Sequence, residues 1–192
     1  MIQSVCVYCG SSDRVSEAYR AAARQMGAAL AQRGLRLVYG AGKTGLMGAV
    51  ADGALAVGGQ VTGVITTQFN TPALVHSGLT SLEVAETMHI RKARMADLAD
   101  AFIALPGGYG TLDEFFEILT WAQIGLHSKP IGLLNALGYF EPLLAMIKHA
   151  ENEGMIYSEH QALFVHADDP HSLLNSLTAH QPPEGLERWV NR

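Results

Sequence analysis

The sequence is poor in charge, and its basic residues are outnumbered by acidic ones. Of its 192 residues 16% are charged, with 13 Lys and Arg against 18 Asp and Glu, a formal net charge of −5. No basic run stands out. A protein that follows a nucleic-acid backbone needs a basic stripe that displaces counterions. We therefore expect no nucleic-acid partner.

Long apolar runs and metal-ligand spacings are also missing. No uncharged apolar run approaches the roughly 20 residues that cross a bilayer, and residues 1–4 lack the features of a secretory leader. None of the eight histidines falls in an H-x-H or H-x-x-x-H pattern. The sequence predicts a cytoplasmic protein that needs neither a membrane nor a metal, and we expect no redox cofactor.

Cysteine is scarce, and the two that occur, Cys6 and Cys9, form a C-x-x-C spacing. Redox motifs of this spacing usually begin a helix, where a thiolate is stabilised. Here Cys6 lies inside the strand-like run 5–8, and residues three apart on a strand face opposite sides. The pattern favours a structural role for both thiols.

Short apolar runs alternate with longer helical segments along the whole chain. The predicted strands are Val5–Cys9, Leu35–Tyr39, Val61–Ile65, Ser81–Ala85, Ala101–Leu105, Ile131–Asn135 and Leu163–His166. The predicted helices are Glu17–Arg33, Leu46–Val57, Met88–Leu98, Leu112–Ile124 and Phe140–Glu151. Nearly continuous apolar strands are typical of sheets covered on both faces. The alternation predicts an α/β fold, a mostly parallel sheet with helices on both faces.

The length suits one domain, which we expect to span residues 1–180. Residues 181–192 are expected to form a loose polar tail, rather than one docked through Trp189. Ligands of parallel sheets bind beyond the carboxyl ends of the strands, where the strand order reverses. The segment Asn70–Gly78 has little periodicity and is predicted to be a loop over that edge.

Two glycine-containing junctions follow the first two predicted strands. In Cys9-Gly10-Ser11-Ser12, Ser11 offers hydroxyl and amide donors to a ligand, or the segment is an ordinary turn with a serine cap. The stretch 40–45 matches G-x-G-x-x-G, but it follows the second strand and no acidic residue ends the next strand. A P-loop match also fails, because Leu37 stands where a glycine is required. A loop that opens a helix can still receive an anion, so Gly42 remains a candidate for phosphate or ribose contact.

The third junction, Pro106-Gly107-Gly108-Tyr109-Gly110-Thr111, carries the strongest signal. It joins a buried-type strand to a helix predicted to begin at about Thr111, so that backbone amides and the helix dipole converge on one spot. Thr111 and Glu114 also fit a capping box, which would make Glu114 structural. Just upstream in the chain, Arg91 and Lys92 begin a helix and are candidates to bind a phosphate or carboxylate.

These blocks together resemble the LOG family, cytokinin riboside 5′-monophosphate phosphoribohydrolases that often carry the older label "lysine decarboxylase-like". The segment 106–114 matches the family signature P-G-G-x-G-T-x-x-E, and the resemblance covers roughly residues 6–157. The matching blocks are Cys9–Ser12, Tyr39–Gly48, Met88–Lys92, Leu119–Gln123 and Lys129–Pro130.

The resemblance implies a Rossmann-like fold, a homodimer, and hydrolysis of N6-modified AMP or AMP to a free base and ribose 5-phosphate. It places the catalytic pair on Arg91 and Glu114. Substrate contacts are expected from these residues: Ser11, Gly42, Met88, Lys92, Gly107, Gly108, Tyr109, Gly110, Thr111 and Thr120. The glycine turn would hold the 5′-phosphate, and Glu114 would stabilise an oxocarbenium-like transition state or activate water.

The sequence departs from the family in two places, and three other functions remain open. The second loop has Ala41-Gly42-Lys43-Thr44 where relatives more often have a glycine run, and Ile90 replaces a usual polar residue. The main alternative is an AMP-binding sensor without turnover. An NAD-dependent oxidoreductase lacks its ribose-binding acid, and an amino-acid decarboxylase would need a cofactor-linked lysine, for which Lys43 has no supporting context.

Overall fold

The computed structural model describes residues 1–183 and Leu186. Its strands are β1 Ser4–Tyr8, β2 Arg36–Tyr39, β3 Val61–Thr66, β4 Ser81–Ala85, β5 Ala101–Ala104, β6 Ile131–Leu134 and β7 Val165–Ala167. Its helices are α1 Glu17–Gln32, α2 Gly45–Ala56, α3 Met88–Asp97, α4 Tyr109–Gln123, α5 Glu141–Asn152 and α6 Pro170–Ala179. Short 3-10 turns lie at Thr67–Phe69, Ala136–Gly138 and Ser158–Leu163. Trp189 lies outside the described residues.

The seven strands form one sheet in the order β4-β3-β2-β1-β5-β6-β7, and every neighbouring pair is parallel. The helices α1, α2 and α6 pack on one face of the sheet, and α3, α4 and α5 pack on the other. This confirms the α/β, Rossmann-like fold. The direction of the strand order changes between β1 and β5, and that point is where a parallel sheet offers a ligand crevice.

The strand β1 is buried along its whole length, and its side chains alternate between the two cores. Cys6 and Tyr8 belong to the core under α3 and α4, whereas Cys9 belongs to the core under α1 and α2. Both thiols are free and buried, and burial raises the pKa of each. The two thiols of the C-x-x-C spacing therefore face different cores.

The segment between β3 and β4 follows the carboxyl edge of the sheet and contacts the turn after β2. Val75 forms an isolated antiparallel bridge with Gly42, and the His76 amide donates to the Ala41 carbonyl at 2.9 Å. The His76 side chain also lies 3.0 Å from an Asp52 carboxylate oxygen on α2. The predicted loop at 70–78 thus lies at the ligand edge, where it supports the turn after β2.

Candidate active site

A cavity of about 440 Å³ opens at the carboxyl edge of β1, beside the point where the strand order changes direction. Small-molecule sites usually have volumes of about 300–1,000 Å³, so the cavity is large enough for one. It is lined by Val7 to Ser12, by Gly40 and Met47, by Arg91 and Met95 of α3, and by Gly108, Tyr109, Gly110, Thr111 and Glu114. Separate segments of the chain therefore meet around one space.

One wall of the cavity is the first turn of α4. The N-cap residue of this helix is Gly108, which has no side chain that could accept hydrogen bonds from the first amides of the helix. Among the described residues, the amides of Tyr109, Gly110 and Thr111 have no protein acceptor. Uncapped amides at a helix N-terminus, reinforced by the helix dipole, form a binding site for an anion.

The capping-box alternative for this helix is wrong. The helix starts at Tyr109, so Thr111 is its third residue, and its hydroxyl packs against Gly107 and does not cap. The Glu114 carboxylate does not turn back to the helix start, because it pairs with Arg91. Sequence placed the helix start two residues late, since glycine N-caps leave no side-chain signal.

The glycine turn before α4 is held by neighbouring segments. The Gly10 amide donates to the Pro106 carbonyl at 3.0 Å, which ties the turn to the end of β1. The Tyr139 hydroxyl donates to the Gly107 carbonyl at 2.6 Å. These bonds fix the direction in which the free amides of α4 point before any ligand arrives.

The helix α2 offers no comparable site, although the sequence made its glycine-rich start a candidate. The Gly45 amide donates to an Asp13 carboxylate oxygen at 3.1 Å. The amides of Leu46 and Met47 both point to the Gly10 carbonyl, at 2.8 and 3.3 Å. Because these amides already donate to protein acceptors, the N-terminus of α2 has no free amides for an anion at these positions.

A buried ion pair lies on the other side of the cavity. The Arg91 Nη1 atom donates to Glu114 Oε1 at 3.1 Å, and the two side chains are 10% and 14% exposed. Burial raises the pKa of Glu114, and the adjacent guanidinium partly offsets this. The carboxylate and the guanidinium come from α4 and α3, so the packing of these two helices forms the pair.

Further bonds hold the Arg91 side chain in place. Its Nε donates to the Val64 carbonyl at 2.9 Å, and Nη1 also lies 3.5 Å from the Met88 sulfur. No acceptor for Nη2 is found in the described part of the chain, and that nitrogen lies against Gly40, which also lines the cavity. The pair can present a fixed positive group and a carboxylate to one reacting centre.

The remaining predicted residues occupy different places. Ser11 lines the cavity, and Met88 touches it only through Arg91. Gly42 lies outside the lining, at the bridge to Val75, and Gly107 lines a neighbouring apolar cavity of about 230 Å³. Thr120 is exposed on α4, away from the cavity.

The Lys92 ammonium lies between α3 and α4, 3.0 Å from both Asp113 and Glu117. It is not part of the cavity lining. Burial lowers the pKa of Lys92, but the hydrogen bonds to Glu117 and Asp113 outweigh burial and raise it overall. In this position Lys92 fastens one helix to the other beside the Arg91–Glu114 pair.

Sequence reasoning did not select several lining residues. Met47 and Met95 are apolar helix residues with no distinguishing signal, and the motif that contains Gly40 indicates contact with a phosphate or a ribose, not with an arginine. Among the described residues no group of three or more His, Cys, Asp or Glu could hold a metal ion. Nor does that part of the chain contain a helix with the length and apolar character of a membrane span.

Known proteins of one family resemble this chain. The model of the family described as "Possible lysine decarboxylase" matches residues 47–177. A cytokinin riboside 5′-monophosphate phosphoribohydrolase of Rhodococcoides fascians is 53% identical over 155 residues, 80% of this chain and 78% of the relative. The Arabidopsis thaliana cytokinin riboside 5′-monophosphate phosphoribohydrolase LOG7 is 43% identical over 93% of this chain and 82% of its own length.

Among solved structures, a molybdenum cofactor binding protein of Rippkaea orientalis matches with a TM-score of 0.71. The match covers 93% of this chain and 97% of the Rippkaea orientalis chain. The sequence identity is 21%, so the match indicates a shared fold and nothing more. The identities to the phosphoribohydrolases are much higher and extend over most of each chain. The chain therefore belongs to the LOG family, the family that is also described as possible lysine decarboxylases.

Proposed function

We propose that this protein hydrolyses the N-glycosidic bond of an N6-modified adenosine 5′-monophosphate, or of AMP, and releases the free base and ribose 5-phosphate. One observation carries the proposal: the free amides of α4 and the buried Arg91–Glu114 pair line the same cavity. The names of the related enzymes support the same reaction.

The 5′-phosphate binds at the first turn of α4. The amides of Tyr109, Gly110 and Thr111 donate to its oxygens, and Ser11 adds a donor from the loop after β1. Gly107 and Gly108 let the chain turn closely in front of these amides. Binding energy at the phosphate thereby orients the ribose, which is the part of the substrate that reacts.

Glu114 and Arg91 act on the ribose. When the bond between C1′ and the base nitrogen breaks, its electron pair leaves with the base and positive charge develops on the sugar. The ionised Glu114 stabilises that charge or takes a proton from the attacking water, whose oxygen forms the new bond to C1′. The proton that the water loses ends on the base nitrogen that left. Arg91 holds the carboxylate in position.

The other predicted contacts have more distant roles. Met88 supports the Arg91 guanidinium, and Lys92 acts by fixing α3 against α4. Gly42 helps to hold the turn after β2 through its bridge to Val75, and it does not contact the ligand. These assignments follow from where each side chain lies relative to the cavity.

We further propose that the protein forms a homodimer through the outer face of α4. Phe116 on α4 is 41% exposed, and Ile124 and Leu126, which directly follow the helix, are 39% and 62% exposed, whereas Phe115 is wholly buried in the core. Thr120 lies on the same exposed face, so it would meet a second copy of the chain. Size-exclusion chromatography with light scattering should give twice the chain mass, and Phe116→Glu should halve it. A monomeric wild type contradicts this.

The buried free thiols support a reducing compartment, and we place the reaction in the cytoplasm. Fractionation of the source cells checks this: recovery of the protein with a cytoplasmic marker is expected. Recovery with an extracellular marker would contradict it.

The alternatives fit less well. A decarboxylase that forms a Schiff base needs a lysine in the cavity, but the described lining residues include none, and Lys43 bonds to the Pro72 carbonyl at 2.9 Å. A sensor would bind AMP without turnover and would not need a buried carboxylate whose pKa is raised. The names of the relatives also favour an enzyme.

The test is the phosphate dependence of base release. Purified protein is incubated with isopentenyladenosine 5′-monophosphate, with AMP and with the matching nucleosides, and the free base is separated by chromatography. We expect release from at least one nucleotide and at least ~100-fold slower release from its nucleoside, since the phosphate orients the sugar. Tight nucleotide binding without any released base would favour the sensor.

A further inference from the structure

Gly40, the residue directly after β2, lies against the guanidinium of Arg91. A Cβ atom built on Gly40 would fall 2.0 Å from Arg91 Nη2 and 2.6 Å from Met47 Cε. Real Cβ atoms do not approach heavy atoms so closely, and the Met47 methyl is a flexible tip that can move aside. The conflict with Arg91 is harder to relieve.

Arg91 is hard to displace because bonds on other sides hold it. The side chain is 10% exposed, and its Nε and Nη1 bind the Val64 carbonyl and the Glu114 carboxylate. A shift of the guanidinium away from position 40 would stretch at least one of these bonds. Space for Arg91 therefore depends on a residue without a side chain at position 40.

The backbone beside Gly40 is held in an uncommon conformation. Ala41 has a φ of 63°, in the left-handed region that non-glycine residues seldom adopt. Its carbonyl accepts the His76 amide, and Gly42 next to it is bridged to Val75. The Tyr39 hydroxyl donates to the Gly42 carbonyl at 3.2 Å. Such strain persists only where the surrounding structure enforces it, and it concentrates at functional sites.

We propose that Gly40 is a positioning residue: its missing side chain, in a turn held by the segment 67–80, leaves the slot that keeps Arg91 against Glu114. The inference rests on the proposed function, because it assigns Gly40 to the Arg91–Glu114 pair of that reaction. It gives the glycine motif after β2 a task other than phosphate binding.

Gly40→Ala tests the proposal through the split between kcat and KM. The phosphate site on α4 is untouched, so KM for the nucleotide should change by less than about threefold. The displaced guanidinium should lower kcat about 100-fold, which is typical of a displacement of about 1 Å at a reacting centre. The control is Gly132→Ala on β6, whose new methyl meets the tips of Leu173 and Leu177 far from the cavity. It should retain wild-type kcat, and an unchanged kcat in Gly40→Ala overturns the proposal.

A second readout does not depend on activity. The pKa of the Glu114 carboxyl, followed by carbon NMR, should be higher in Gly40→Ala than in the wild type, because Arg91 no longer lowers it. An identical Glu114 titration in the two proteins overturns the proposal even if kcat falls. If the wild type releases no base from any nucleotide, the proposed function fails, while this titration still decides whether Gly40 positions Arg91.

A double-mutant cycle with Arg91→Ala covers the case in which Gly40→Ala folds poorly. Once the guanidinium is gone, the methyl at position 40 has room. Gly40→Ala should therefore lower Tm when Arg91 is present and leave Tm nearly unchanged when it is combined with Arg91→Ala. Equal losses with and without the guanidinium, or a double variant that also fails to fold, would show that Gly40 serves the fold alone.

Discussion

The glycines at the start of α4, which are Gly107 and Gly108 before the helix and Gly110 in its first turn, can be replaced one at a time. These replacements separate a steric role from a ligand-binding role. An alanine methyl at Gly107 would lie 2.1 Å from Thr111 Oγ1 and 2.8 Å from the Gly10 amide nitrogen. Such overlap usually costs about 1–3 kcal/mol. For a chain of this size each kcal/mol lowers Tm by about 2–4 °C, so Gly107→Ala should lower Tm by about 2–12 °C.

Gly110→Ala should behave in the opposite way. No heavy atom lies within 4 Å of the new methyl, and Gly110 is a helical residue, where alanine is more stable than glycine by about 0.5–1 kcal/mol. Gly110 lines the cavity, so the added methyl should crowd a phosphate bound at the free amides. A lost hydrogen bond to a charged group costs about 1.5–3 kcal/mol, so the Kd for AMP should rise at least tenfold.

The assay combines thermal unfolding with calorimetric titration of AMP into each variant. Gly108→Ala provides a second position with nothing within 4 Å of the new methyl, and it should also weaken AMP binding without unfolding the protein. If Gly110→Ala and Gly108→Ala both bind AMP as tightly as the wild type, the phosphate does not bind at the start of α4. The outcome expected here is a variant that is more stable but binds less well.

Three further predictions concern the surroundings of this turn. Glu114→Gln keeps an oxygen for Arg91 to bind, so it should change Tm little but lower kcat at least ~100-fold; near-normal turnover would exclude Glu114 from the chemistry. The proposed mechanism needs the ionised Glu114 carboxylate, and burial raises the pKa of that group. The value of kcat/KM should therefore fall as the pH drops through this raised pKa, and a rate that stays flat down to pH 4.5 would contradict this. Asp13→Ala removes the acceptor of the Gly45 amide and should lower the free energy of unfolding by about 1 kcal/mol. The affinity for AMP should stay unchanged, because the proposed phosphate site is on α4. Weaker AMP binding would argue for a phosphate site on α2.

The sheet and most helices were predictable because their signals are local. Most strands are short apolar runs, and the predicted bounds of the strands differ from the observed ones by at most two residues. The helix α6 was missed, although Asp169 accepts the amides of His171 and Ser172 and Pro170 is the first helical residue. That start signal is present in the sequence, but it lay next to a segment interpreted as a polar tail.

The contacts at the site were less predictable, because they join residues that are distant in the chain. The carboxylate that accepts the Gly45 amide comes from Asp13, 32 residues earlier in the chain. The glycine motif alone therefore could not exclude the start of α2 as a phosphate site. The Arg91–Glu114 pair spans 23 residues and entered only through the family resemblance. The close approach of Gly40 to the Arg91 guanidinium also joins residues that are distant in the chain, so the sequence alone does not show it.

The proposed function requires the Arg91–Glu114 pair to act on the glycosidic bond of a nucleotide that is held by its phosphate at the start of α4. Its most direct test is product analysis of isopentenyladenosine 5′-monophosphate incubated with the wild type and with Glu114→Gln. We predict that the wild type releases the free base and ribose 5-phosphate in equal amounts, and that the variant binds the nucleotide but releases neither at a comparable rate. Intact nucleotide after prolonged incubation with the wild type, or equal rates for the two proteins, would contradict the claim.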